Sequence, residues 1–138
     1  KVFHYTEVLA KIINEGSVLP KSSYNKRVIY HDPCFLGKQN GIFDEPRNIL
    51  KSIDGVELLE FTRCRENSMC CEGGGGRMFF EVEATYQRNA EVRVQEAAKK
   101  EAEIIATSCP FCVMTLEEPA TEKGLAVKDL SEILMEVL

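Results

Sequence analysis

Six of the 138 residues are cysteines, and their placement offers the first prospect of chemistry. They are Cys34, Cys64, the vicinal pair Cys70-Cys71, and the ends of the tetrad Cys109-Pro110-Phe111-Cys112. Thiolates form disulfides, bind zinc, run dithiol redox reactions or hold iron–sulfur clusters. A disulfide framework fits poorly, because adjacent Cα atoms stand ~3.8 Å apart and relaxed disulfides prefer about 4.4–6.8 Å. Structural zinc commonly takes two Cys-x-x-Cys pairs. One such pair is present, and two neighbouring thiolates rarely reach one small ion together. The tetrad suits a redox dithiol, since free N–H groups and the dipole at a helix start stabilise a thiolate. In dithiol oxidoreductases, though, most of the fold follows that tetrad, and here little chain follows Cys112. A cluster of several irons accepts a vicinal pair, because the two thiolates can bind different irons. Gly73-Gly74-Gly75-Gly76 would let backbone N–H groups pass close to such a core. The run is a poor phosphate cradle, because Arg77-Met78 stands where a P-loop has Lys-Ser/Thr.

These residues need elements to position them. Apolar residues at helical spacing predict an amphipathic helix over 1–16, then a polar turn segment. Strands are expected near 27–31, 56–61, 103–107 and 125–128. Asp44 is expected to cap a helix with Pro46 in its first turn. A long helix is expected from about Met78 to Ala102, with Val82, Tyr86, Ala90, Val94 and Ala97 or Ala98 on one face. Another helix should open at Pro110 and close at Gly124. Asp129 and Glu132 form a capping-box pattern for the last one.

Strands alternating with helices imply an α/β fold: a small, doubly wound, mainly parallel four-stranded sheet with helices on both faces. The strand order expected is 2-1-3-4. Cys34, the Cys64–Cys71 segment and the Cys109–Cys112 tetrad then all lie beyond the carboxyl ends of strands. Open α/β sheets place their ligands at that edge.

Composition sets the remaining bounds. Hydrophobic residues make up 44% and charged residues 28%, and this is the composition of a globular domain. A net charge of −5 argues against nucleic acid and anionic lipid as partners. No apolar run approaches the ~20 residues of a membrane span, and no leader peptide is recognisable. The chain begins with Lys1, as expected of a piece of something longer. Of the two histidines, His31 precedes Cys34 and is a candidate for donating a hydrogen bond to a site sulfur or relaying a proton. His4 is read as a packing or surface residue. Arg63, Arg65 and Arg77 flank the cysteines as counter-charges or surface ion-pair partners. Met78, Phe79 and Phe80 are read as core and loop anchors.

The pattern Cys34, Cys70-Cys71, Cys109-x-x-Cys112 resembles the cysteine-rich CCG domain. That domain occurs in heterodisulfide reductase catalytic subunits, the glycolate oxidase iron–sulfur subunit and related oxidoreductases. The surrounding residues carry the likeness over nearly the whole chain: His31-Asp32-Pro33-Cys34, Gly41-Ile42-Phe43, Asp44-Glu45-Pro46-Arg47, Arg65-Glu66-Asn67-Ser68, Gly74-Gly75-Gly76-Arg77-Met78 and Cys109-Pro110-Phe111-Cys112. They look like the second CCG module of a heterodisulfide reductase catalytic subunit. Two positions depart from the pattern. Glu72 stands where the motif has Gly, and it is strained if that position takes a positive φ. Cys64 stands where the family more often has a small polar residue.

The resemblance implies that residues 1–138 form a single domain, the C-terminal one of a longer chain. It implies a noncubane [4Fe–4S] cluster on Cys34, Cys70, Cys71, Cys109 and Cys112, with Gly73, Gly74, Gly75 and Gly76 beside it. The cluster would pass electrons to a disulfide or redox carrier. Implied partners are upstream iron–sulfur modules of the parent chain or complex and a flavoprotein donor. The implied location is cytoplasmic, peripheral to a membrane through partners. The chain alone is then part of an oxidoreductase and inactive by itself. The alternative is a zinc-binding structural or interaction module using Cys34, Cys109, Cys112 and one of Cys70 or Cys71.

Overall fold

A computed structural model describes residues 1–80 and 87–138. The elements follow in the order α1 (Tyr5–Asn14), β1 (Lys26–Tyr30), α2 (Asp44–Lys51), β2 (Val56–Glu60), α3 (Asn89–Lys99), β3 (Ile104–Thr107), α4 (Pro110–Glu122), β4 (Ala126–Asp129) and α5 (Leu130–Met135). The four strands form one all-parallel sheet in the order β2-β1-β3-β4. Ile29 pairs with Leu59 on one side and Ile105 on the other, and Ile105 pairs with Val127.

Alternation along the strands builds two cores. Val28, Tyr30, Ile104 and Ala106 face α1, α2 and α5, where they meet Ile13, Ile49, Leu50, Leu130 and Ile133. Ile29 and Ile105 face α3 and α4, where they meet Ala90, Val94, Ala97, Leu116 and Ala120. Cys71 and Cys112 belong to this second core. The sheet is therefore covered on both faces, as the βαβ alternation requires. Among the described residues, no helix is long and apolar enough to cross a membrane.

Several local expectations need correction. Phe43 occupies the N-cap of α2 without a side-chain cap, and Asp44 is the first helical residue. The Asp44 carboxylate is taken up by Arg65 instead, at 2.8 Å. His4 is a capping residue: its Nδ1 accepts the Thr6 N–H, and Glu7 accepts its own N–H. The long helix expected from Met78 starts only at Asn89. Residues Arg77–Phe79 form a 3₁₀ turn that ends at an extended Phe80, while Val82 and Tyr86 lie outside the described residues. Phe79 and Phe80 are exposed, not anchored. A π-helical turn over Phe35–Gln39, which apolar spacing does not announce, follows Cys34. It is allowed because Gly37 lacks a Cβ, which would stand 2.5 Å from the Phe43 ring.

Candidate metal centre at the carboxyl edge of the sheet

Three strand ends deliver the cysteines. After β1, the His31 N–H donates to the Ala106 carbonyl at 2.8 Å, which extends the ladder to β3 by one more bond. Asp32 then turns inward and accepts two N–H bonds from Arg47 at 2.7 and 2.9 Å, and the Arg65 backbone N–H at 2.8 Å. Arg47 also reaches Glu60 and the Phe43 carbonyl. Arg47 and Asp32 are almost fully buried, so this is a paired, hydrogen-bonded charge network. It ties the Cys34 turn, α2 and the loop after β2 into one unit. After β3, Cys109 occupies the N-cap of α4 with Pro110 at the first helical position, where a missing N–H costs nothing.

All six cysteines are free thiols. Five lie at this edge of the sheet, Cys70 and Cys71 as chain neighbours. Cys71 and Cys112 lie buried with their sulfurs 3.3 Å apart. Cys109, half-buried, is the N-cap of the helix that carries Cys112 three residues on. Cys34 and Cys70 are exposed, and Cys34 is near enough to act on the Cys70 thiol.

The protons are unevenly shared. The Cys71 thiol is drawn down to about 4, chiefly by Cys112 and further by His31 and the Gly73 N–H, against the opposing effect of burial. Cys109 is drawn down to about 6 by Cys112, then by the backbone N–H groups of Cys112 and Phe111. Cys112 is pushed the other way, by Cys109 and Cys71. Cys70 is pushed up mainly by burial. Cys112 thus stands between two sulfurs that are both drawn toward the thiolate form.

The backbone supplies further donors to these sulfurs. The Glu72 N–H points at Cys70 Sγ and the Gly73 N–H at Cys71 Sγ, each at 3.4 Å. Of the glycine run, Gly73 lies against the first turns of α4. Gly74, Gly75 and Gly76 lead into the 3₁₀ turn and make no such contact with sulfur among the described residues. Glu72 does take a positive φ, +68°. Its carboxylate accepts the Asn89 N–H at 3.2 Å, so the residue in the glycine position caps α3 from outside.

Cys64 is apart from the five. It leads into a 3₁₀ turn over Arg65–Asn67, and burial and the neighbouring Glu60 push its thiol up. Arg63 donates to the Asn67 carbonyl and Arg65 to the Asp44 carboxylate.

His31 is buried among the sulfurs. Its donor nitrogen and the sulfurs of Cys71 and Cys112 lie within 4.8 Å of one another. Burial above all lowers its pKa. Its partner is Arg93, which sequence reasoning overlooked. Arg93 is buried on the same stripe of α3 as Ala90, Val94 and Ala97. An arginine inside an apolar stripe was the available signal. Its guanidinium stacks 3.5 Å from the Phe61 ring centroid and donates to His31 Nδ1 and the Arg63 carbonyl. Burial draws its pKa down to about 10.

Residues 28–117 match a family described as CCG, a cysteine-rich domain. The chain is 36% identical to an EtfAB:quinone oxidoreductase of Syntrophomonas wolfei, covering all of this chain and 21% of that protein. It is 39% identical to the probable iron-sulfur-binding oxidoreductase FadF of Bacillus subtilis, covering 89% of this chain and 17% of that one. Identity is 36% to one subunit of a dihydromethanophenazine:CoB–CoM heterodisulfide reductase from Methanosarcina mazei, covering all of this chain and 34% of that polypeptide. The chain thus spans about a third or less of the length of these relatives. No solved structure matches it.

Proposed function

This chain belongs to the CCG cysteine-rich domain family, and from that premise we propose that it is the iron–sulfur electron-transfer domain of a heterodisulfide reductase-like oxidoreductase. The proposed ligands are Cys34, Cys70, Cys71, Cys109 and Cys112, and the proposed cofactor is a [4Fe–4S] cluster. One observation supports this reading: three strand ends bring five free cysteines to one edge of the sheet, with the Cys71 and Cys112 sulfurs 3.3 Å apart in a buried core. The donor set suits iron, because two sulfurs already favour the thiolate form that metals bind. Bound there, the cluster supplies one-electron uptake and release.

The chain's own residues shape that chemistry. The N–H groups of Glu72 and Gly73 aim at sulfur, and such bonds tune a cluster's potential. Phe61 and Leu116 are buried in the same apolar core as Cys71 and Cys112. Cys34 and Cys70 are exposed, where a disulfide or redox carrier can approach. Other iron–sulfur modules of a parent assembly, with a flavoprotein behind them, would supply the electrons. The chain alone is expected to hold the cluster without sustained turnover of a disulfide.

Anaerobic reconstitution with iron and sulfide tests this reading. A brown protein with several irons and matching acid-labile sulfide is expected. Serine at any of the five ligand positions should lower both contents, and Cys64→Ser should leave them unchanged. Bound zinc without sulfide would make the chain a binding module and end the proposal.

A further inference from the structure

His31, Cys71 and Cys112 bring three potential metal-binding atoms within 4.8 Å. The grouping looks like a ligand set, but the hydrogen bonding of the imidazole argues otherwise. A metal-binding histidine offers a lone pair from one ring nitrogen and donates N–H from the other. Here Nδ1 faces a donor, the Arg93 Nε–H, at 3.3 Å. Arginine has no acceptor and keeps its protons. Nδ1 must therefore be the bare nitrogen, and the ring proton sits on Nε2. A ring nitrogen of His31 lies within 4.8 Å of the Cys71 sulfur, and with Nδ1 taken up by Arg93 the N–H left for that sulfur is the one on Nε2. A protonated nitrogen has no lone pair left for a metal.

Both residues are held so that this arrangement cannot relax. The His31 backbone is pinned to Ala106, and its ring meets Phe61 edge-on with centroids 6.4 Å apart. Arg93 is 0% exposed. Its Nη1 donates to the Arg63 carbonyl at 2.9 Å, and its guanidinium lies against the Phe61 ring. Its Nη2 has no partner among the described residues. A buried guanidinium with an unmet donor is costly, and packing alone gives no reason for it at this place.

We propose that Arg93 is a positioning residue of the cysteine site: it locks His31 in the Nε2–H tautomer, so that the imidazole serves as a fixed N–H donor to Cys71 and not as a metal ligand. The tautomer follows from the hydrogen bonds alone, and its effect on a cluster rests on the function proposed above.

The test has two arms. Nitrogen-15 NMR of the imidazoles in reduced, metal-free protein reads the tautomer directly. With two histidines in the chain, His4→Gln leaves one set of signals. His31 should show the shift of a bare nitrogen at Nδ1 and of a protonated one at Nε2. Arg93→Leu should release the lock, moving Nδ1 toward the protonated value, and Arg93→Lys should restore it in part. An Nδ1–H tautomer in the unaltered protein overturns the proposal without any variant having to fold. An unchanged tautomer in a folded Arg93→Leu protein overturns the role of Arg93. In the second arm, reconstituted His31→Gln should keep full iron and sulfide, and Arg93→Leu should lower the cluster's midpoint potential as the N–H···S bond weakens. Iron loss on His31→Gln would make His31 a ligand and overturn the proposal. If the unaltered protein assembles no cluster, the function proposed above fails while the tautomer result stands.

Discussion

Gly73→Ala probes how the vicinal cysteines are held. A Cβ at Gly73 would fall inside the contact distance of the Thr115 hydroxyl and 2.8 Å from the Phe111 carbonyl, where ordinary contact starts near 3.4 Å. Thr115 can turn away only by giving up its 2.7 Å hydrogen bond to that same carbonyl. The carbonyl cannot retreat, because the first turns of α4 are set by Pro110 and by the fully buried Leu116. The 70–73 turn must move instead, and with it the Cys71 sulfur, 3.3 Å from Cys112. Overpacking of this kind costs about 1–3 kcal/mol. We expect urea denaturation of reduced, metal-free protein to show a loss in that range, together with lowered iron uptake on reconstitution. Gly74→Ala is the control: its Cβ meets nothing within 4 Å, so stability should stay within about 0.5 kcal/mol. Adding Thr115→Ala to Gly73→Ala removes the hydroxyl clash and leaves the carbonyl one, so the pair should recover part of the loss. Wild-type stability and full iron in Gly73→Ala would refute the idea that close backbone approach seats the pair.

Three further outcomes follow from the geometry. Cys109, drawn down to about 6, should be alkylated at a plateau rate at neutral pH in metal-free protein, with the rate falling about tenfold per unit below that value; a midpoint above 8, read from the Cys109 peptide by mass spectrometry, would contradict the assignment. The sign for stability follows: the folded value lies below the ordinary thiol value of 9.0, so the stabilising contribution is complete above 9 and is lost as the pH falls through 6. Glu72→Ala and Glu72→Gly both lose the bond to the Asn89 N–H, but only Ala keeps the cost of φ +68°, so Gly should be the more stable by about 1 kcal/mol in thermal or urea melts; equal stabilities would mean the left-handed backbone carries no strain. Arg47→Met leaves the Asp32 carboxylate buried without its bidentate partner and should cost about 3–5 kcal/mol; a urea midpoint close to that of the unaltered protein would show the network to be dispensable.

Much of the architecture was legible in the residues themselves. Short apolar runs alternating with helical spacing were enough for four parallel strands in the order β2-β1-β3-β4, because a βαβ crossover has little topological freedom. That topology placed Cys34, Cys70-Cys71 and Cys109-Cys112 at one edge before any side chain was positioned. Proline at the start of α4 and the Asp129–Glu132 box read correctly too, since capping is settled within one turn of chain.

The remaining features depend on groups distant in sequence. Glu72 is tolerated in a glycine conformation where its carboxylate can reach Asn89, 17 residues on. The start of α3 at Asn89 is set at the same meeting. Arg93 reads as an oddity on an apolar stripe until it faces His31, 62 residues away. The unequal pull on chemically alike thiols, down at Cys71 and Cys109 and up at Cys112, is invisible in their spacing. Backbone periodicity is a local property that a sequence carries directly. Proton placement depends on desolvation and on which N–H groups arrive within hydrogen-bond distance, and only the packed fold brings them there.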